Sequence, residues 1–190
     1  MLDRRCFLTG LAGLVLAEWP VFAAPKARLG EDGLYHLDWY LSSFLELAED
    51  LSGAHEKGKR LAILWGLKGC PACRQLHDVH LADPAIEAYL KANFEILHLD
   101  IIGARTVTDF DGSKLTEKAL AARYGIRSTP AFQFFPETPD GLAVRAPDKR
   151  EVARLTTLPE PSRFLPVFRY VREKGYDAET FGDWLRRQPS

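Results

Sequence analysis

The chain has 190 residues, 46% of them hydrophobic. This is enough for one compact domain with a full core, and eleven Phe and four Trp exclude a disordered chain. The 25 basic and 26 acidic residues nearly cancel, without a long run of one sign, so we expect neither a nucleic acid nor an anionic membrane surface as partner.

Residues 1–23 have the three zones of an export signal. Arg4 and Arg5 lie in a charged head, and an apolar run from Leu8 to Ala17 follows. This run has about half of the ~20 residues that a spanning helix needs, so we predict export to the periplasm without stable membrane insertion. Cleavage is expected after Ala23, or alternatively after Ala24. The competing interpretation is a buried N-terminal helix.

The arginine pair, followed by Phe7-Leu8, resembles the twin-arginine export motif, but Asp3 stands where Ser is more common. The choice between this route and general secretion therefore stays open. Cys6 lies inside the signal without a lipobox, so we expect it to be removed. The mature chain then keeps only Cys70 and Cys73. A disulfide between cysteines three positions apart closes too short a loop to stabilise a fold much, which favours a chemical role.

The first predicted elements lead to these cysteines. Residues 24–58 are predicted to be an N-terminal helical extension, with apolar residues at helical spacing over 36–57. The unbroken apolar run 61–65 predicts a strand buried on both faces. A short loop follows, and Pro71 stands where a helix can begin.

The remaining elements complete an α/β pattern. In chain order we predict a strand at 94–100, a polar insertion at 101–113, a helix at 114–124, a strand at 131–135, a long turn at 136–149, an antiparallel strand at 151–155, and helices at 161–174 and 180–187. Right-handed crossovers would make the first two strands parallel neighbours in a mixed sheet with helices on both faces. The core domain is then 59–174, with a C-terminal helical tail at 175–190.

The pair Cys70 and Cys73 suits thiol–disulfide exchange, in which one thiolate attacks and a second sulfur resolves the mixed disulfide. Cys70 is expected at a helix start, where free N–H groups and the helix dipole favour an anion. Lys68 and Arg74 add positive charge, so the expected direction is a lowered pKa for Cys70. Cys73, one turn further on, is expected to be shielded and to act as the resolving thiol.

Trp65, the run Gly69-Cys70-Pro71-Ala72-Cys73 and the stretch 124–131 resemble the thioredoxin superfamily over residues 59–174. The resemblance implies a thioredoxin-like three-layer fold with Cys70 as nucleophile and Cys73 as resolving thiol. It also implies a cis-proline and a substrate-binding surface formed by Thr129, Pro130, Trp65, Pro71 and Ala72. For Trp65 a purely structural role is an equal alternative.

More narrowly, the leading helix, the run 58–61 and the placing of His77 after Cys73 resemble the periplasmic SoxW/SoxS-type thioredoxins of bacterial sulfur-oxidation systems. This resemblance implies a monomeric reductant without a cofactor. Its partners would be a protein disulfide, such as that of a sulfur-carrier protein, and a membrane electron donor of the DsbD/CcdA type. Oxidation or isomerisation is the alternative direction.

Two departures from thioredoxin concern the mechanism. Ile63 and Leu64 stand where cytosolic thioredoxins bury an Asp, so the proton acceptor for Cys73 must be water or another group. The dipeptide Pro71-Ala72 replaces Gly-Pro, so the reduction potential of thioredoxin does not carry over.

Two other functions compete with this one. Cys73, His77 and His80 stand at i, i+4 and i+7, with Cys70 just before them, so they could bind zinc or copper in a metal-delivery protein. We favour a partly buried His77, a surface His80 and no metal. The third hypothesis is a redox-inert binding module. The acidic residues at 109–111 are interpreted as a solvated insertion, with a partner surface as the alternative.

Overall fold

The computed structural model describes residues 27–188. The predicted signal, both cleavage positions and Cys6 therefore lie outside the described residues. The strands are β1 Arg28–Leu29, β2 Tyr35–His36, β3 Arg60–Gly66, β4 Phe94–Asp100, β5 Thr106–Thr108, β6 Lys114–Thr116, β7 Ala131–Phe134 and β8 Ala153–Leu155. The helices are α1 Leu47–Glu56, α2 Pro71–Gln75, α3 Pro84–Asn93, α4 Glu117–Arg123, α5 Pro161–Arg172 and α6 Phe181–Arg186.

A four-stranded mixed sheet in the order β4-β3-β7-β8 forms the centre of the fold. β3 and β4 are parallel, as predicted, while β7 and β8 return antiparallel. All seven residues of β3 are buried, which explains why residues 61–65 are apolar without alternation. β3 ends at Gly66, and a short loop connects its carboxyl end to Cys70.

Helices cover both faces of this sheet. One apolar cluster joins alternate residues of β3 and β4, such as Leu64 and Ile96, to the helices after the cysteines and to α5. The other joins the intervening residues, such as Ile63 and Leu97, to α1 and α4. The predicted α/β fold with three layers is confirmed. No helix among residues 27–188 is long and apolar enough to cross a membrane.

The predicted helix over 36–57 is wrong in its first half, since α1 begins only at Leu47. The chain before it forms the β1–β2 hairpin and then runs along the edge of the sheet, where the Leu41 amide donates to the carbonyl of Ile96 at 2.9 Å. Ser43 Oγ accepts from the Leu45 amide, and Leu45 has a positive φ of 65°. Local side-chain bonds and pairing with β4 therefore override the helical spacing.

The region 101–116 also differs from the prediction. The insertion contains β5, which pairs with β6, so that the helix predicted from 114 begins as α4 at Glu117. Thr116 caps this helix by accepting from the amide of Ala119 at 3.1 Å. The long turn predicted for 136–149 contains two short 3₁₀ turns, Leu142–Val144 and Pro147–Lys149.

Candidate active site

Cys70 lies at the junction of strand, loop and helix. The loop after β3 turns at Gly69, whose φ of +72° suits glycine, and Cys70 is the N-cap of α2 with Pro71 as its first residue. Cys70 Sγ accepts from the amide of Cys73 at 3.0 Å. The predicted helix start at Pro71 is thus confirmed.

Cys70 and Cys73 form a disulfide, with their Cα atoms 5.2 Å apart. The exposed fraction is 9% for Cys70 and 4% for Cys73. Cys70 is therefore the more exposed residue of the pair and Cys73 the more shielded one. Cys70 contacts Thr129, which lies just before β7, so that residues about sixty positions later in the chain reach the site.

Thr129 and Pro130 lie directly against Cys70. The Thr129–Pro130 bond is cis, as the family resemblance implied. Thr129 Oγ1 donates to Cys70 Sγ at 3.4 Å, and the Thr129 carbonyl oxygen is 3.6 Å from the same sulfur. Ser128 Oγ donates to the carbonyl of Thr156 at 2.9 Å, which fixes the approach to the cis bond.

The other residues of the predicted substrate-binding surface differ in their exposure. Pro71 is exposed and Ala72 half-buried at the helix start, where a substrate could reach them. Trp65 is 0% exposed, and its indole donates to Gln133 Oε1 at 3.1 Å. The prediction of a substrate-contacting Trp65 is therefore wrong and its structural alternative holds, because β3 directs this ring into the core beneath α1 and α4.

The two predicted cations have separate surroundings. Lys68 is exposed, and its aliphatic stem lies against Gly33 of the β1–β2 hairpin. Arg74 Nε donates to Asp78 at 3.1 Å in an exposed i, i+4 pair, which reduces the positive charge that it presents to Cys70.

A cluster of aromatic and histidine side chains packs behind the cysteine helix. His77 Nδ1 lies 2.7 Å from the carbonyl oxygen of Cys73, and its Nε2 lies 2.7 Å from the hydroxyl of Tyr40. The rings of His77 and His98 are 6.0 Å apart between centroids, and His36 approaches His98 at 5.7 Å.

Burial keeps both inner histidines of this cluster neutral. It lowers the pKa of His77, and together with the neighbouring His77 and His36 it lowers the pKa of His98 to about 3. His98 stands beside Leu64 in the parallel pairing of β4 with β3, on the face below the cysteine helix. His98 is therefore adjacent to Leu64, one of the two positions at which cytosolic thioredoxins bury an Asp.

Sequence reasoning missed Tyr40 and His98 as neighbours of the site. Tyr40 was counted as one apolar position of a helix that does not form there. The available signal for His98 was a histidine inside the otherwise apolar stretch of β4.

The metal hypothesis does not fit the donor geometry. The prediction of a surface His80 is wrong: it is 1% exposed, its Nε2 lies 2.8 Å from the carbonyl of Pro159, and its ring packs on Phe164. Both ring nitrogens of His77 already have partners. Within residues 27–188, no group of three or more His, Cys, Asp or Glu side chains could hold a metal ion.

The acidic residues at 109–111 form an internal ion network. Asp109 is buried, and its carboxylate accepts from Arg123 at 2.7 Å, from Arg150 at 2.8 Å and from the Tyr124 hydroxyl at 2.7 Å. Asp111 accepts from Arg150 at 2.9 Å. The interpretation as a solvated insertion is therefore wrong for Asp109, whose buried charge links the 101–113 segment to α4 and to the loop before β8.

A Cys-x-x-Cys disulfide at a helix start, facing a cis-proline at the start of a neighbouring strand in a mixed sheet, defines a protein of the thioredoxin fold. Residues 47–172 match the family described as a thioredoxin-like domain, and the chain belongs to this family. A search of curated proteins gave no match.

Several solved structures are similar to this chain. A thioredoxin-fold protein from Helicobacter pylori superposes with a TM-score of 0.53 at 18% identity, covering 68% of this chain and 81% of that one. A thioredoxin from Thermus thermophilus gives 0.49 at 26% identity, covering 67% and 84%. The DsbH oxidoreductase gives 0.49 at 13% identity, covering 85% and 95%.

Proposed function

We propose that this protein is a thiol–disulfide oxidoreductase acting on protein disulfides, with Cys70 as nucleophile and Cys73 as resolving thiol. The observation that carries the proposal is the position of the Cys70–Cys73 disulfide at the start of α2, with Cys70 Sγ 3.4 Å from Thr129 Oγ1. The larger exposed fraction of Cys70 favours it as the sulfur that meets the substrate.

The reaction conserves electrons and protons at each step. The Cys70 thiolate attacks one sulfur of the substrate disulfide, which forms a mixed disulfide and releases the first substrate thiolate. The Cys73 thiolate then attacks Cys70 Sγ, breaks the mixed disulfide and releases the second thiolate. The substrate gains two electrons and two protons, and the protein ends in the disulfide state.

The surface around the disulfide suits an extended peptide. Thr129 lies against Cys70 Sγ, with its Oγ1 at 3.4 Å and its carbonyl oxygen at 3.6 Å, and the exposed Pro71 and half-buried Ala72 follow Cys70 at the start of α2. We propose that the substrate pairs with the backbone at Thr129 and lies against these two side chains.

The compartment and direction of the reaction belong to the same proposal. The export signal in the sequence supports a periplasmic location. The SoxW/SoxS resemblance supports a monomeric reductant that keeps a sulfur-carrier or other envelope thiol protein active and receives electrons from a DsbD/CcdA-type membrane protein.

Reduction of insulin disulfides in the presence of dithiothreitol tests the chemistry. The wild-type protein is expected to accelerate precipitation of the insulin B chain, and Cys70→Ser is expected to abolish the effect. Cys73→Ser is expected to accumulate mixed disulfides that a non-reducing gel resolves. In the unprocessed full chain, which still carries Cys6, Cys6→Ser is the matched cysteine control and should behave as wild type. Full turnover by Cys70→Ser would refute the assignment of the nucleophile.

Equilibration with glutathione tests the direction. A potential near that of thioredoxin, about −270 mV, supports a reductant, whereas a value near about −120 mV, as in DsbA, identifies an oxidant. The partner is tested by mixed disulfides that Cys73→Ser captures in the native periplasm.

A further inference from the structure

A chain of hydrogen bonds connects the N-terminal segment, which we define as residues 27–46, to the resolving cysteine. The hydroxyl of Tyr40 is 2.7 Å from His77 Nε2, and His77 Nδ1 is 2.7 Å from the carbonyl oxygen of Cys73. Tyr40 precedes the part of the chain that matches the family, which begins at residue 47. The Tyr40–His77 contact is therefore made by a residue outside the part of the chain that matches the family.

The chemistry of the partners fixes the direction of both bonds. A carbonyl oxygen only accepts, so His77 Nδ1 carries a hydrogen and donates it to Cys73. In a neutral ring Nε2 must then accept, and the hydroxyl of Tyr40 is its donor. Burial lowers the pKa of His77 and raises that of Tyr40, so both groups remain neutral near pH 7. Neither ring nitrogen of His77 is free to act as a base, so its role here is structural.

The backbone after Cys73 departs from a regular α-helix. The helix changes to a π-helical turn at Leu76–His80, in which the Leu81 amide donates to the carbonyl of Leu76 at 2.9 Å. The Leu76 amide is shared between the carbonyls of Ala72 and Cys73. The regular helical pattern is thus interrupted just after Cys73, and the imidazole of His77 supplies a short bond to its carbonyl.

Packing holds the imidazole itself in place. The ring of His77 lies 5.4 Å from that of Tyr35, 5.9 Å from that of Tyr40 and 6.0 Å from that of His98, measured between centroids. Tyr35 and Tyr40 both belong to the N-terminal segment. This segment therefore encloses His77 from the side opposite the cysteine helix.

We propose that Tyr40 and His77 are positioning residues, which hold Cys73 in place for the second step of exchange. The inference rests on the proposed oxidoreductase function and deepens it. In this step Cys73 attacks Cys70 Sγ, the bond from Cys70 to the substrate sulfur breaks, and the departing thiolate takes up a proton in place of the one that Cys73 lost. An intramolecular attack of this kind depends on the effective concentration of the attacking sulfur.

This dependence separates the second step from the first. Attack by Cys70 on the substrate does not use the Cys73 sulfur, so its rate should change much less than the resolving rate when the chain of hydrogen bonds is broken. The resolving rate and the equilibrium constant for forming the Cys70–Cys73 disulfide should both fall. A merely structural loss would lower the melting temperature and leave both quantities unchanged.

The reaction of the reduced protein with 5,5′-dithiobis(2-nitrobenzoate) measures both steps in one trace. The first coloured thiolate reports attack by Cys70, and the second reports resolution by Cys73. Tyr40→Phe removes one neutral hydrogen bond and should slow the second phase about 3- to 10-fold, with little change in the first phase. The disulfide constant against glutathione should fall by a similar factor, about 15 to 30 mV.

His80 offers a matched control on the same π-helical turn. It is buried like His77, but it contacts Pro159 and Phe164 instead of Cys73. His77→Leu should slow the second phase more than Tyr40→Phe, whereas His80→Leu should lower the melting temperature with both phases as in wild type. His77→Asn, which keeps a donor near the Cys73 carbonyl, should recover part of the rate.

The outcomes distinguish the two proposals. If the wild-type protein releases no second thiolate and does not reduce insulin, the oxidoreductase function fails. If it does both and folded Tyr40→Phe resolves at the wild-type rate with an unchanged potential, the positioning role is refuted. Should His77→Leu fail to fold, Tyr40→Phe alone decides, since it deletes only a hydroxyl.

Discussion

Acidification from pH 7 to pH 5 is expected to destabilise this fold by about 2 kcal/mol through one side chain, His98. Its ring is enclosed between β4 and the N-terminal segment, and within residues 27–188 its Nδ1 has no hydrogen-bond partner. His77 and His36 face it, Asp32 pairs with His36 at the rim, and Arg105 donates to the His98 carbonyl. Burial in this setting holds the neutral form.

The magnitude follows from the difference between the folded and unfolded pKa values. The unfolded histidine titrates near about 6.5, while the folded pKa of His98 is about 3. Below pH 6.5 this histidine binds a proton in the unfolded state but not in the folded state. The contribution of His98 to the free energy of unfolding is therefore fully present above pH 6.5 and is lost as the pH falls toward 3. At about 1.4 kcal/mol per pH unit, the loss from His98 reaches about 2 kcal/mol at pH 5. His77 contributes in the same direction.

Urea unfolding at pH 7 and pH 5, followed by tryptophan fluorescence, measures this difference. His98→Leu removes the titrating group and should reduce the pH-dependent loss by about 2 kcal/mol, whatever its effect at pH 7. His55→Gln, at an exposed position of α1, is the matched histidine deletion and should retain the wild-type loss. An equally steep loss in His98→Leu would show that His98 is not the cause.

Two further perturbations follow from the packing. A Cβ at Gly66 would lie 2.5 Å from His98 Nε2, so Gly66→Ala should lower the free energy of unfolding by about 1–3 kcal/mol. Gly53 faces open space within α1, so Gly53→Ala should raise the free energy of unfolding by about 0.5–1 kcal/mol. Urea unfolding measures both changes. Arg150→Leu leaves the buried carboxylate of Asp109 with one fewer cation and should cost about 3 kcal/mol by the same measurement.

Each of these predictions has a result that contradicts it. Equal stability changes for the two glycine variants would mean that His98 can move aside at no cost. For the arginine, Lys149→Leu is the neighbouring control, because its ion pair with Asp148 is exposed and should contribute almost nothing. A loss for Arg150→Leu no larger than that of this control would remove the argument from burial.

The sequence was most informative where one local pattern sufficed. The apolar run of β3 identified a strand buried on both faces, because such a strand leaves little room for polar residues. Cys70 and Pro71 located a helix start because proline fits the first helical turn. The family resemblance, rather than any local pattern, led to the cis bond at Thr129–Pro130.

The sequence was least informative where distant segments meet. Residues 36–46 have helical spacing, yet a hydrogen bond to Ile96 on β4 decides their course. His80 was assigned to the surface, but it is 1% exposed, because Pro159 and Phe164 from a distant part of the chain pack against its ring. The burial of Asp109 depends on Arg150, forty-one residues later, which no local window contains.

The path of the N-terminal segment along β4 has a consequence for solubility. An uncovered seven-residue edge strand presents a row of free amides and carbonyls that another chain can extend. Here the Leu41 amide already occupies the carbonyl of Ile96 in the middle of that edge, and the opposite edge strand, β8, has only three residues. The bond from Leu41 and the short length of β8 therefore both reduce the backbone that another chain could extend.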